Sequence, residues 1–146
     1  MKTRDRILEC ALLLFNPDTN RLEIEASHAL ADADGLTFEL GQGLPGWVAL
    51  HAQPVLVADV TTDARYRAVH DRVKCQMAVP LSADEQVLGV VFFDHHRKNG
   101  FTPTDLGQLV AGLAVLGDLD ALPPRLVGVE AAALATALAF EHRRLL

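Results

Sequence analysis

The sequence is poor in aromatic residues and in cysteine, and it has no long hydrophobic run. Aromatic residues make up 5% of the 146 positions, so a folded core has to be built chiefly from Leu, Val and Ala. The two cysteines, Cys10 and Cys75, form neither a metal-binding motif nor a disulfide framework. No apolar run reaches membrane-spanning length, and the N-terminus, MKTRDRILEC, lacks the layout of a signal peptide. We therefore expect a reduced, cytoplasmic protein.

The sequence also lacks a cluster of positive charge. The formal net charge is −6, and the basic residues are scattered or stand in short pairs such as Arg97-Lys98. Phosphate binding needs local positive charge, so we expect no nucleic-acid partner, and no membrane partner either. Half of the residues are apolar and 22% are charged, which excludes a disordered chain. The length fits one domain over residues 1–146, with a core at about 7–117.

Two pairs of strand-like segments dominate the secondary-structure pattern. Residues 7–15 are apolar, and residues 21–27 alternate strictly after a turn cluster, which predicts an antiparallel hairpin with one wet face. Residues 76–81 and 87–94 predict a second hairpin. With shorter strands near residues 37–40 and 54–58, the pattern predicts an α+β fold: a central antiparallel sheet of five or six strands flanked by helices.

Helices are predicted mainly near the C-terminus. Thr102 as N-cap, Pro103 at the first helical position and Asp105 in the first turn predict a helix start. The segment around residues 117–124 breaks that helix. A second helix is predicted over about 127–145.

A glycine-rich turn and four short motifs follow one another over about fifty residues. They are Gly41-Gln-Gly43-Leu-Pro-Gly46, Val57-Ala-Asp59, Arg65-Tyr66, Val79-Pro80-Leu81 and Leu88-Gly89-Val90. The glycine density predicts sharp backbone turns with positive φ. This order of motifs resembles the GAF domain, a family of small sensory modules whose architecture is related to PAS domains and profilin.

The resemblance implies a non-catalytic sensor rather than an enzyme. It implies a small molecule bound between the sheet and the loop at residues 59–74, with the signal passed through the terminal helices or a homodimer contact. The ligand and any cofactor are unknown, and no metal site is expected. The residues expected to line the pocket, if their strands present them to one face, are Val57, Asp59, Tyr66, His70, Cys75, Met77, Val79 and Phe92.

Two alternatives remain open. One is a ligand-free scaffold or dimerisation module. The other is a thiol redox sensor, or an enzyme that resembles a methionine sulfoxide reductase, centred on Cys75. Lys74 and Arg72 would favour its thiolate if they approach it, and Cys10 is the remaining thiol that could resolve a sulfenic acid.

The Asp94-His95-His96 triplet invites comparison with DHH phosphoesterases, which bind metal through such residues. The further acidic motifs of that lineage are not recognisable in this sequence. We therefore interpret the triplet as a strand-end aspartate followed by two exposed histidines. The signatures of haem, bilin and cyclic-nucleotide binding are also incomplete.

Overall fold

The computed structural model describes residues 7–28, 36–68, 72–83 and 85–116. Within them the strands are β1 (Ile7–Asn16), β2 (Arg21–His28), β3 (Thr37–Glu39), β4 (Val55–Val57), β5 (Cys75–Ala83) and β6 (Gln86–His95). The helices are α1 (Gly43–His51), a short 3-10 helix (Val60–Thr62) and α2 (Pro103–Leu116).

The six strands form one antiparallel sheet in the order β3-β2-β1-β6-β5-β4. Both predicted hairpins are present, β1 with β2 and β5 with β6, and β1 pairs with β6 to join them. The predicted α+β class and the antiparallel six-stranded sheet are thus confirmed. Strands β1 and β6 are at the centre of the sheet and β5 is next to β6, and most side chains on these three strands are buried.

Each face of the sheet carries its own apolar core, because successive side chains of a strand point to opposite faces. The face under α2 is built from Cys10, Leu12, Leu14, Cys75, Met77, Val79, Leu81, Val91 and Phe93, with Phe101 and Leu109 from the other side. The face under α1 is built from Ala11, Leu13, Leu22, Phe38, Ala78, Val90 and Phe92, with Val48 and Ala49 of the helix. We call these the α2 face and the α1 face.

The glycine-rich turn places α1 against one face of the sheet and close to the edge strand β3. Gly43 has a φ of 67°, a conformation that disfavours residues with a Cβ, so the predicted positive φ is confirmed. A Cβ on Gly46 would lie 2.3 Å from the carbonyl oxygen of Glu39 in β3. Glycine at this position therefore lets the helix approach the backbone of β3.

The start of α2 is a reciprocal cap. The backbone N–H of Asp105 donates to Oγ1 of Thr102 at 3.1 Å, and the N–H of Thr102 donates to Oδ2 of Asp105 at 2.8 Å. This satisfies two backbone donors at the helix start and confirms Thr102 as the predicted N-cap. The predicted helix at 127–145 lies outside the described residues. In the part of the chain that is described, no helix is long and apolar enough to cross a membrane.

Candidate functional site

A row of three polar side chains lies on the α1 face, near the ends of β1, β6 and β5. Glu9 of β1 is paired with Asp94 of β6, and Asp94 is paired with Gln76 of β5. Because directly paired residues of antiparallel strands point to the same face, the three side chains lie next to one another. The next row along the same strands is Ala11, Phe92 and Ala78, which is apolar. The polar row therefore ends the apolar core on this face.

The polar row is buried although two of its members are acids. Glu9 is 1% exposed and Asp94 is 3% exposed. Burial, and then the hydrogen bond to Glu9 and the negative charge of Glu9, raise the pKa of Asp94 well above its usual range. The hydrogen bond from Gln76 acts in the opposite direction. The carboxyl of Asp94 is therefore protonated over a wider pH range than that of an exposed aspartate.

Among the described residues, one acceptor in this row has no donor. Nε2 of Gln76 donates to Oδ1 of Asp94 at 2.5 Å. No donor among the described residues reaches Oε1 of Gln76, although the side chain is only 5% exposed. A buried polar atom without a partner costs about 1–3 kcal/mol, and such atoms are rare in folded proteins. A ligand that carries a hydrogen-bond donor would remove this cost.

The row forms the floor of a pocket beside the N-terminal end of α1. The lining residues are Glu9, Leu36, Phe38, Pro45, Tyr66, Arg67, Val73, Gln76, Phe92 and Asp94. The concave space is about 310 Å³ including its open mouth, but its enclosed part is small. That is room for about one water molecule. In this conformation the pocket accepts a small polar group, and a larger ligand requires side chains at the mouth to move.

The loop after the 3-10 helix contributes Tyr66 to the lining of this pocket. The residues before and after Tyr66 are arginines, and each guanidinium group lies over an aromatic ring. Arg65 is 4.6 Å from the centre of the Trp47 ring, and Arg67 is 4.4 Å from the centre of the Phe38 ring. Arg67 also donates to the carbonyl oxygen of Thr37 at 3.0 Å. Burial, and then the charges of Asp94 and Glu9, raise the pKa of Tyr66. Its hydroxyl is therefore a neutral donor beside the acids.

The residues expected to line one pocket are distributed over several places. Tyr66 and Phe92 line the pocket. Val57 is buried next to it, in a cluster with Leu44, Val60 and Val73. Asp59 caps the 3-10 helix instead, because its Oδ1 accepts from the N–H and the hydroxyl of Thr61. The hydrogen bond from the Thr61 hydroxyl contributes most to lowering the pKa of Asp59. His70 lies outside the described residues.

Cys75, Met77 and Val79 lie on the α2 face, across the sheet from this pocket. The expectation had placed them with Phe92 on one face, and the register corrects it: Phe92 is paired with Ala78, so the even-numbered residues of β5 face the pocket. Cys75 and Cys10 lie on β5 and β1, which both flank β6. Strands two positions apart are separated by about 9.5 Å, beyond the Cα distance that a disulfide can span.

The interpretation of Asp94-His95-His96 also needs correction. His95 is fully buried, not exposed, because β6 continues through it and its ring packs edge-on against Phe101 with centroids 5.2 Å apart. A Cβ on Gly100 would lie 2.2 Å from this ring, so the glycine leaves space for the imidazole. Within the described residues, no three His, Cys, Asp or Glu side chains lie together in a group that could hold a metal ion.

Sequence reasoning missed Glu9 and Gln76 and gave Asp94 another role. The signal for Glu9 was a single acid inside the apolar run ILECALLLF, since a charged residue in a buried strand usually has a specific partner. The partner could not be identified from the run itself, because the three residues meet only when β1, β6 and β5 pair in this register.

Comparison with known proteins identifies the family. A family model described as GAF domain, GAF_2, matches residues 4–115. The match covers most of the chain, and the six-stranded antiparallel sheet with its pocket beside α1 agrees with it. The chain therefore belongs to the GAF domain family, as the motif order predicted. No curated protein is detectably similar to it in sequence.

Solved structures with this fold include sensors and enzymes. A putative GAF sensor protein from Burkholderia vietnamiensis is 22% identical with a TM-score of 0.70, over 78% of this chain and 70% of that one. The fRMsr of Staphylococcus aureus is 20% identical with a TM-score of 0.70, over 77% of this chain and 71% of that one. A free methionine-R-sulfoxide reductase from Neisseria meningitidis, in complex with its substrate, is 21% identical with a TM-score of 0.64, over 91% and 71%.

These neighbours contradict the prediction that the chain is not an enzyme. That prediction took the GAF fold as a mark of non-catalytic sensing, whereas close structural neighbours are reductases. The fold is compatible with catalysis and with sensing alike, so the choice between them depends on the site.

Proposed function

We propose that this GAF domain binds a small molecule through a cationic amino group, which enters the pocket and meets Glu9, Asp94 and Gln76. The observation that carries the proposal is the buried Oε1 of Gln76, to which no described residue donates and which lies in a pocket beside two carboxyl groups. An ammonium group has three donors and a positive charge. It would supply the missing hydrogen bond and a charge opposite to that of the acids.

The rest of the pocket supports a ligand with one polar end and an apolar body. Phe38, Phe92 and Val73 contribute apolar surface, and Tyr66 contributes a neutral hydroxyl. Few polar groups on an apolar wall are typical of small-molecule sites. Since the free space now holds about one water, the amino group fits first, and the body of the ligand extends towards Arg67 as side chains at the mouth move.

Amino acids are one ligand class with the required group. The Neisseria neighbour is a free methionine-R-sulfoxide reductase with its substrate bound, which makes free methionine sulfoxide a rational first probe for this chain. The two thiols that could act on a bound sulfoxide, Cys10 and Cys75, are buried on the α2 face. Either would have to move to reach a ligand in this pocket, so turnover is measured separately from binding.

The test compares pairs of probes that differ only in the amino group. The full chain is melted with free methionine sulfoxide and with its N-acetyl form, and likewise with other amino acids and amines and their acylated counterparts. A ligand at 100 times its dissociation constant adds about 2.7 kcal/mol to the free energy of unfolding. We expect free amines to raise the melting temperature and acylated probes to leave it unchanged. Equal shifts for both members of each pair, or no shift for any, would overturn the proposal.

The same samples report on catalysis if they are analysed for sulfide product after incubation with a reductant. Product formation that is lost in both Cys75→Ser and Cys10→Ser would assign thiol chemistry to the bound ligand.

A homodimer, signalling through the terminal helices and a cytoplasmic location are further parts of the proposed sensor role. Sedimentation velocity of the full chain with and without probe tests the first of these.

A further inference from the structure

We propose that Arg67 binds a carboxylate group of the ligand, so that the pocket selects free amino acids over amines that carry no acid group. The inference rests on the proposed function, because it takes the amino group of the ligand to lie at the floor of the pocket. It adds a second anchoring point and names the residue that decides which amines bind.

The pocket presents opposite charges at its two ends. Among the described residues that line it, Arg67 is the single cation. Arg67 is half-buried, whereas Asp94 and Gln76 are buried, so the cation lies towards the mouth and the acid and the amide lie at the floor. A ligand whose amino group meets the floor therefore brings its other end to a positive charge. An anionic group is the chemical match for a guanidinium ion.

The guanidinium group of Arg67 has hydrogen-bond donors to spare. An arginine side chain has about five N–H donors in a planar fork. Within the described part of the chain Arg67 uses one of them, since its Nη2 donates to the carbonyl oxygen of Thr37 at 3.0 Å. No carboxylate of the described residues pairs with it. The remaining donors are therefore available to a carboxylate, which accepts two parallel hydrogen bonds from such a group.

The position of Arg67 is set by an aromatic ring beneath it. Its guanidinium group lies 4.4 Å from the centre of the Phe38 ring. Gly43 leaves room for this arrangement, because a Cβ on Gly43 would lie 2.9 Å from Cε1 of Phe38 and 3.6 Å from Cβ of Arg67. A side chain that is already held in place loses less conformational entropy when it binds a ligand.

Arg65 of the same loop provides a matched control. Its Nε donates to Oδ1 of Asp63 at 2.9 Å, and its Nη2 donates to Oδ2 of Asp63 at 2.6 Å. Like Arg67 it lies over an aromatic ring, that of Trp47, but it is not one of the residues that line the pocket. The two arginines thus share a loop and a ring contact and differ in whether a carboxylate of the chain already pairs with them.

The test compares amino acids with their carboxamides, which keep the amino group and lose the negative charge. The probes are methionine sulfoxide, leucine and γ-aminobutyric acid, each with its carboxamide. They are titrated by calorimetry into the full chain and into its Arg67→Gln and Arg65→Gln variants. In wild type we expect at least one acid to bind about ten times more tightly than its carboxamide, or better, because a hydrogen bond to a charged group is worth this much.

The variants separate recognition of the carboxylate from a structural role. In Arg67→Gln the acid should fall to the affinity of its carboxamide, and the carboxamide should bind as it does to wild type. Arg65→Gln should keep the preference for the acid. Equal weakening of acid and carboxamide in Arg67→Gln would mean that Arg67 only supports the fold of the pocket, and would overturn the inference.

The wild-type titrations also distinguish failure of the inference from failure of the proposed function. If acid and carboxamide bind wild type equally, or if Arg67→Gln keeps the preference for the acid, the pocket still binds amino groups and only the role of Arg67 is overturned. If neither the acids nor the carboxamides bind to wild type, the proposed function fails and the inference with it.

Discussion

Glu9 and Asp94 are paired across neighbouring central strands, and both side chains are almost wholly shielded from water. This pair places two carboxyl groups at one end of a sheet face that is otherwise apolar. Gln76 lies next to Asp94 on β5, and Tyr66 of the loop lines the same pocket. Stability, ligand choice and pH response are all expected to depend on these two carboxyls.

The pair predicts that the free energy of unfolding falls as pH rises. The pKa of Asp94 is raised in the folded state, so the folded protein holds a proton that the unfolded chain releases near pH 4. Above that pH the folded state loses up to about 1.4 kcal/mol per pH unit, until the pH reaches the raised pKa. Urea denaturation of wild type and Asp94→Asn from pH 4 to 8 measures this. The difference in the free energy of unfolding between wild type and Asp94→Asn should decrease as pH rises. Parallel curves for the two proteins would contradict the prediction.

Below about pH 4 the trend should reverse. The pKa values of Asp59 and Asp63 are lowered, chiefly by side-chain hydrogen bonds from Thr61 and Arg65. The stability they contribute is present above their unfolded pKa values and is lost as pH falls through the folded ones. We therefore expect a stability maximum in mildly acidic solution.

Substitutions at the neighbouring positions Gln76 and Met77 are expected to differ in their effect on amine binding. Gln76→Met replaces an amide whose oxygen has no partner among the described residues with a side chain of similar length, so we expect stability within about 1 kcal/mol of wild type. Amine binding should weaken at least roughly tenfold, since one good hydrogen bond to a charged group is worth about 1.5–3 kcal/mol. Met77→Leu, one residue along on the α2 face, should leave binding unchanged. Denaturation and probe titration of both variants check this.

Alanine substitutions at two glycines test whether the glycine-rich turn positions α1. Gly46→Ala would place a Cβ 2.3 Å from the carbonyl oxygen of Glu39, so we expect a loss of more than about 2 kcal/mol, as for other strongly strained or overpacked sites. Gly107→Ala is the control, because nothing lies within 4 Å of its Cβ position in α2 and alanine favours helix by about 1 kcal/mol. Urea midpoints that move in the same direction for both variants would disprove this role of Gly46.

The thiols should be unreactive in the folded protein. Cys10 and Cys75 are both buried on the α2 face, and a thiol reacts through its exposed thiolate. We expect both to react slowly with Ellman's reagent in buffer and rapidly in urea. Fast native labelling of one thiol that slows when a probe amine is added would place that cysteine at the ligand site instead.

The fold could be predicted from the sequence further than the site could. Strands and the α2 cap follow from local pattern, such as the alternation after Arg21 and the Thr102-Pro103-Thr104-Asp105 start. The polar row depends on which residues pair between strands that are distant in sequence. Pairing Phe92 with Ala78 rather than with Val79 reverses the face of every residue in β5, so Gln76 reaches the pocket and Cys75 does not.

The most direct measurement is native mass spectrometry of the full chain and its Gln76→Met and Met77→Leu variants, each purified from the organism that encodes it or a close relative. We expect wild type and Met77→Leu to carry the same non-covalent adduct, a compound with a basic amino group, and Gln76→Met to have lost it. An adduct without a basic group, or one retained equally by Gln76→Met, would show that the Glu9–Asp94–Gln76 row is not the ligand site.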